Sequence, residues 1–452
     1  MKKVAFCGIS GSGMSALAQV LNAKGIMVCG SDRSFDQGKD ATIKKALEDV
    51  GIRIFPQDGS AVDESTDFLY VSTAVEESIK DVQKALKLGV KIKKRSDLLA
   101  EIFNAHAKGI AVGGTSGKTT LTAMIGYILD KIGQKPLVIN GGLLKNYQEQ
   151  KGIANVILNE GDICVAEADE SDGSIEKYNP YIGVVNNITI DHKPIEELQK
   201  LFDNFIKRST FGVVNLDCKN SEILLENKNI KTFSIQNPSA DVFLSDIKPL
   251  KDGVSYTLNG QTFSLKLIGA FNVSNAAAAI LTCSVLGVDM FEAAKILEGF
   301  LGTKRRLDVI GVKNGITVID DFAHNPDKIR ASLSALRDYE GRLIVMFQPH
   351  GFAPMRMMGR EIIEAVASSF DKEDILLMPE IFYAGGSVTK DISSKDFVQY
   401  AVDLGVNAEF FQTRDMIKNR ILEIAKSGDR IVIMGARDNT LTDFCKSIAE
   451  AL

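Results

Sequence analysis

Residues 111 to 124, AVGGTSGKTTLTAM, set three glycines, one lysine and a run of hydroxyl side chains at a spacing that suits one kind of chemistry. Gly113, Gly114 and Gly117 let the chain turn tightly and expose backbone N–H groups to a polyphosphate at a helix N-terminus. Lys118 supplies a mobile cation for the outer phosphates, and Thr119 is placed to put its hydroxyl on Mg2+. Gly114, Thr115, Ser116, Gly117, Lys118, Thr119 and Thr120 are the expected nucleotide cradle. A full loop of this type would carry glycine at position 112, where Val112 stands, so the loop is one residue shorter than the standard motif.

Two further groups belong beside that cradle. The apolar run CVAEAD ends in the carboxylates Glu167, Asp169, Glu170 and Asp172, at the edge where α/β sheets bind ligands. His192 follows the next apolar strand, directly after Asp191, and with Glu167 and Thr119 could complete a divalent-metal site. A second glycine loop, GISGSGM, opens the chain. Its Gly8, Gly11 and Gly13 miss the GxGxxG spacing, although Asp32 after the second strand could sit on a ribose hydroxyl as in dinucleotide folds. A nicotinamide oxidoreductase would leave the GKTT loop without a use.

These loops need strands and helices to hold them, and the chain supplies three such series. KKVAFCG, MVCGSD, DFLYVSTAV and VKIKKR alternate with helical periodicity over the first hundred residues, which is a βαβ pattern and implies a parallel sheet. A second series runs from GIAVGG through DICVAEAD, YIGVVNNI and FGVVNLD, with hairpin signatures at Asp252-Gly253 and Asn259-Gly260. The third holds ITVIDDF, LIVMFQ, ILLMPEI, AEFFQ and RIVIMG. The fold class expected is α/β, three domains each on a mainly parallel sheet: Rossmann-like over 1–107, P-loop ATPase-like over 108–304, and Rossmann-like again over 305–452.

With 452 residues the chain is long enough for about three domains. Its formal net charge of -5, with acids and bases interleaved, disfavours a nucleic-acid groove. No apolar run reaches membrane-spanning length, and the start runs straight into a strand-like segment, so a cytoplasmic location is expected. Six scattered cysteines, never in a CxxC pair, read as reduced and buried.

The ordered motifs GISGSGMSALAQVL, VSTAV, KKRSDLLAEIF, GTSGKTT, EADESD, NNITIDH, GAFNVSN, GTKRRLD, DDFAHNP and FQPH resemble those of the Mur ligases, ATP-dependent amide-forming enzymes of peptidoglycan synthesis, along the whole chain. The resemblance implies ATP and Mg2+ as cofactors, with Lys118, Glu167 and His192 catalytic and Thr119, Glu167 and His192 holding the metal. It places Asn272 and Asn275 at the adenine side; without the family context, an N-cap before the alanine-rich helix would explain them as well. Arg306 and Asp321 would close over the nucleotide. Ser10, Gly11, Ser12, Gly13, Met14, Asp32 and Ser72 would bind the uridine nucleotide of UDP-N-acetylmuramate, and His324, His350 and Arg356 the acceptor.

The implied reaction forms an acyl phosphate from the lactyl carboxylate and then an amide with L-alanine, by a monomer or weak homodimer free of nucleic-acid and membrane partners. Where the family's alanine-adding members follow FQPH with arginines, this chain has Gly351 and Pro354. Arg356 then compensates, or the acceptor differs. The segments RRLDVIGVKNGITVIDDFAH and MRMMG lean toward the members that attach a recovered tripeptide, whereas EADESDGS leans back toward L-alanine. A paralogue that binds ATP and UDP-sugar without ligation is the remaining alternative.

Overall fold

Each apolar series closes into its own sheet. The structure is a computed structural model that describes residues 2–72, 75–170, 173–189, 193–250, 252–383, 389–436, 438 and 440–452. In the first sheet the strands stand in the order Arg53–Phe55, Met27–Ser31, Lys3–Cys7, Phe68–Val71 and Lys91–Lys94, all parallel. Strand order reverses at Lys3–Cys7, so the crevice beyond its C-terminal end is where an open α/β sheet takes a ligand. The first glycine loop lies there, leading into the helix Ser12–Ala23.

Among the described residues the second sheet has ten strands. At its middle, Phe211–Asn215, Ile182–Val185, Lys108–Gly113, Ile163–Glu167 and Leu137–Ile139 run parallel, so their C-terminal ends gather on one edge. The helix Lys118–Lys131 starts from that edge and is buried from Thr119 to Leu129. The helix Ile195–Lys207 buries Leu198, Leu201, Phe202, Phe205 and Ile206, a single stripe at helical spacing. The expected turn at Asn259-Gly260 joins Gly253–Leu258 to Gln261–Leu265 with positive φ at both residues, 47° and 85°, as a two-residue hairpin of the primed type requires.

By packing, the chain divides into two compact units, Met1–Lys248 with Ser255–Lys266 and Asn272–Thr303, and Pro249–Val254 with Leu267–Phe271 and Lys304–Leu452. The first two sheets share the first unit and one apolar core, in which Phe6, Leu17 and Phe103 meet Ala111, Ile175 and Phe202. The second unit holds the third sheet, in the order Asp308–Lys313, Ile316–Asp321, Arg430–Met434, Leu343–Phe347, Ile375–Pro379, Ala408–Phe411, antiparallel only at the first pair. Along Leu343–Phe347, Leu343, Val345 and Phe347 enter one core while Ile344 and Met346 enter the other, the two-residue alternation of a strand covered on both faces.

Candidate active site

The phosphate loop spans the gap between the central strand Lys108–Gly113 and the helix Lys118–Lys131. Gly114 and Gly117 take φ of 127° and 84°, a conformation that side chains resist. A Cβ on Gly117 would stand 2.4 Å from Asn186 Nδ2 and 2.9 Å from Asn275 Oδ1, so the position is closed to other residues on steric grounds as well.

The loop is braced from beneath by asparagines. Ser116 N donates to Asn187 Oδ1 at 2.8 Å, and Asn187 Nδ2 donates back to Ser116 O at 3.1 Å. Thr115 Oγ1 donates to the same Asn187 Oδ1 at 2.8 Å. Asn186 Nδ2 bridges Ser116 O at 3.0 Å and Asn275 Oδ1 at 2.9 Å, and Asn275 in turn donates to Asn272 Oδ1 at 3.1 Å. Asn272 and Asn275 are 3% and 2% exposed. Both lie beneath the loop and are tied to its backbone through Asn186. Asn186 and Asn187 carry no expected role from the sequence, although they open the NNITIDH motif directly after a buried strand.

Two carboxylates fill the mouth of the loop. Lys118 Nζ donates to Gly114 O and to Glu170 Oε2, both at 2.7 Å. Burial pushes the Glu170 carboxyl up, and the Lys118 ammonium pulls it back by less. Thr119 Oγ1 donates to Glu167 Oε2 at 3.0 Å, while Glu167 Oε1 accepts from Gly141 N at 2.6 Å. Thr119 and Glu167 thus present two hard oxygen donors side by side, the ligand chemistry that suits Mg2+. His192, Asp191 and Asp172 lie outside the described residues. Thr120, 8% exposed, sits in the first turn of the loop helix.

Around the first loop, Gly8 has φ of 85°, and a Cβ there would come within 3.1 Å of Ser72 Oγ, which brings Ser72 to the switch point. Gly11 caps the helix Ser12–Ala23 with no side chain on its free N–H groups. Asp32 accepts from Ser10 N at 2.9 Å and from Ser34 N at 2.9 Å, so its carboxylate fastens the loop and caps the short helix Arg33–Asp36. Met14 is 1% exposed, and its side chain belongs to the core instead of a ligand surface. Arg95, not singled out from the sequence, lies over Gly13, where a Cβ would meet its Cδ and Nη1 at 3.0 Å.

In the second unit, His324 and His350 stand edge to face with ring centroids 5.2 Å apart at the C-terminal side of the sheet. Burial drops the His324 imidazole to about 4, helped by Lys328, His350 and Arg306, against the Phe322 carbonyl that accepts from its Nδ1 at 2.8 Å. The Arg306 guanidinium lies 5.2 Å over the Phe322 ring. Its neighbours Arg305 and Leu307 both have positive φ, 59° and 46°, a conformation kept only where the surroundings enforce it. Asp321 is part of that enforcement. It accepts from Leu307 N at 3.3 Å and Ser332 Oγ at 2.5 Å and is 4% exposed, so it shapes the Arg306 turn from inside. Arg356 pairs with Asp391 and donates to Thr389 O at 3.0 Å; it is engaged within its own unit instead of standing free for a carboxylate.

A short glycine phosphate loop on the middle of three α/β sheets, with a hydroxyl and a carboxylate converging beside its lysine, defines a nucleotide-dependent enzyme of modular build. Residues 3–107 match the catalytic domain of the Mur ligase family, 112–283 the Mur ligase middle domain, and 305–437 the Mur ligase glutamate ligase domain. The chain belongs to the Mur ligase family. It is 33% identical over 465 residues to the UDP-N-acetylmuramate–L-alanine ligase of Sulfurihydrogenibium sp. (strain YO3AOP1), an alignment that covers all of this chain and 98% of that protein. Among solved structures it matches the UDP-N-acetylmuramate-alanine ligase of Thermotoga maritima with a TM-score of 0.82 at 24% identity, covering 100% and 99% of the two chains. A murein peptide ligase from Psychrobacter arcticus 273-4 matches with a TM-score of 0.69 at 22% identity, covering 100% and 98%.

Proposed function

We propose that the chain is an ATP-dependent ligase of peptidoglycan synthesis that joins the lactyl carboxylate of UDP-N-acetylmuramate to L-alanine through an acyl phosphate. The observation that carries this reading is the convergence of Lys118, Thr119 and Glu167 on one sheet edge at the mouth of the loop. The full-length relative named for the L-alanine reaction favours that acceptor over a tripeptide.

A carboxylate does not approach a triphosphate unaided, since two unit anions 4 Å apart repel by about 4 kcal/mol at an effective dielectric near 20. Lys118 and the N–H groups at the start of its helix offset that repulsion and the charge that develops as the phosphoryl group moves. Thr119 and Glu167 would hold the Mg2+, which when bound supplies further charge neutralisation at the phosphates. The buried asparagine brace keeps the loop N–H groups aimed before the nucleotide arrives, so that little reorganisation is left to the reaction itself.

The experiment is phosphate release with purified protein, ATP and Mg2+. Release is expected only when UDP-N-acetylmuramate and L-alanine are both present, with glycine, L-serine and the tripeptide L-alanyl-γ-D-glutamyl-meso-diaminopimelate as competing acceptors. Release that ignores the acceptor, or that follows the tripeptide instead, refutes the proposal in its whole or in its acceptor. Lys118→Ala is expected to abolish turnover.

A further inference from the structure

A fully buried amide rarely survives where an apolar group would serve, because each of its polar atoms must find a partner. Asn155, in the second sheet's module, is 0% exposed and has them all. Its Nδ2 donates to Ser12 O at 2.7 Å and to Ser15 Oγ at 3.0 Å, and its Oδ1 accepts from Gln19 Nε2 at 3.0 Å. Ser12, Ser15 and Gln19 all lie on the helix that opens at the first glycine loop. Gln19, 2% exposed, returns the contact by accepting from Ile153 N at 2.8 Å. Gly152 leaves the room for it, since a Cβ there would stand 2.3 Å from Gln19 Oε1.

The main chain of the same residue faces the other loop. Asn155 O accepts from Asn140 N at 3.0 Å, and the next residue, Gly141, donates its N–H to Glu167 Oε1 at 2.6 Å. One residue therefore touches the first turn of the first loop's helix with its side chain and the turn that holds Glu167 with its backbone. We infer that Asn155 is a positioning residue for the sugar-nucleotide substrate, setting the first glycine loop in register with the phosphate loop so that the lactyl carboxylate reaches the γ-phosphate. The inference rests on reading the first loop as the UDP-sugar cradle.

Asn155→Ala keeps the backbone bond to Asn140 and removes the side-chain hold on Ser12. Steady-state kinetics should show KM for UDP-N-acetylmuramate raised about 10-fold, as the loss of a buried hydrogen-bond pair implies, with KM for ATP within about two-fold of wild type. The comparator is Lys177→Ala. Lys177 joins the same two modules through Asp97 at 2.5 Å and Ser96 at 3.2 Å but touches neither loop, and its loss should move neither KM. Ser15→Ala, which takes one acceptor from the same amide without altering charge or backbone, should raise the UDP-sugar KM about two- to three-fold and carries the test if Asn155→Ala does not fold.

A fall in thermal stability with both KM values unchanged, or an equal rise in both, overturns the inference. A wild-type protein that fails to bind UDP-N-acetylmuramate overturns the reading of the first loop and takes this inference with it.

Discussion

Replacing Glu170 by Gln tests what the carboxylate on Lys118 does before nucleotide arrives. Glu170 Oε2 lies 2.7 Å from Lys118 Nζ in a setting where Glu170 is 4% exposed. A phosphate oxygen that bonds the ammonium from its other side, at about 2.8 Å, would stand about 5.5 Å from that carboxylate. At an effective dielectric near 20 a pair of unit anions so placed repels by about 3 kcal/mol. Relaxation of the carboxylate, and the upward push of burial on its proton affinity, reduce what is expressed. About half of the repulsion, near 1.4 kcal/mol, is a tenfold change in Kd. Titration calorimetry with a non-hydrolysable ATP analogue should therefore show Glu170→Gln binding about 10-fold tighter than wild type. The gain should shrink for ADP and vanish for adenosine, because it follows phosphate charge. Unchanged or weaker binding of the analogue would refute the reasoning and make Glu170 a support for Lys118 in place of a competitor for it.

Gly117→Ala should cut affinity for the ATP analogue more than 10-fold and cost about 1 to 3 kcal/mol in urea unfolding, because a Cβ at φ 84° runs into Asn186 and Asn275; normal affinity would show that the loop does not need this conformation. His324 takes its proton near pH 4 when folded and near 6.5 when unfolded. The unfolded chain thus binds more protons between those values, and stability is lost as pH falls from about 6.5 toward 4, by up to about 3 kcal/mol. His324→Gln should flatten that slope in denaturant midpoints taken at pH 4.5 and 7, and an unchanged slope would place the effect elsewhere. Arg356→Ala breaks a partly exposed pair with Asp391 and should shift stability by less than about 0.5 kcal/mol with KM for L-alanine unchanged; a tenfold rise in that KM alone would restore Arg356 to the acceptor site.

The strands and the phosphate loop were legible because parallel strands buried on both faces read as unbroken apolar runs, and because GKTT follows one such run directly. The first expected strand of the third series, ITVIDDF, is real but not first. Asp308–Lys313 pairs antiparallel to it through Asn314-Gly315, with φ of 52° and 77°. Asn314-Gly315 carries the same signature as Asn259-Gly260, so the signal for this hairpin stands in the sequence. The asparagine brace is a different matter. Ser116 reaches Asn187 across 71 residues, and Asn186 reaches Asn275 across 89, separations at which one sequence carries no local pattern. Asp320 and Asp321 are adjacent in one strand, and neighbours in a strand face opposite ways. Asp320 turns to Arg305 and Thr442, Asp321 to Ser332 and Leu307.

The apolar core that Phe103 and Tyr178 help to join, their rings 5.0 Å apart, runs from the first sheet to the second alongside the buried bonds of Asn155 to Ser12, Ser15 and Gln19. Cutting the gene after residue 107 would strip greasy surface bare on both fragments, and each should clump rather than fold alone. Borrowing the N-terminal module from a relative would fail for the same cause unless its seam residues travelled with it. On the proposed reading of the first loop as the UDP-sugar cradle, new sugar-nucleotide preferences are more readily reached by altering its rim than by trading whole modules.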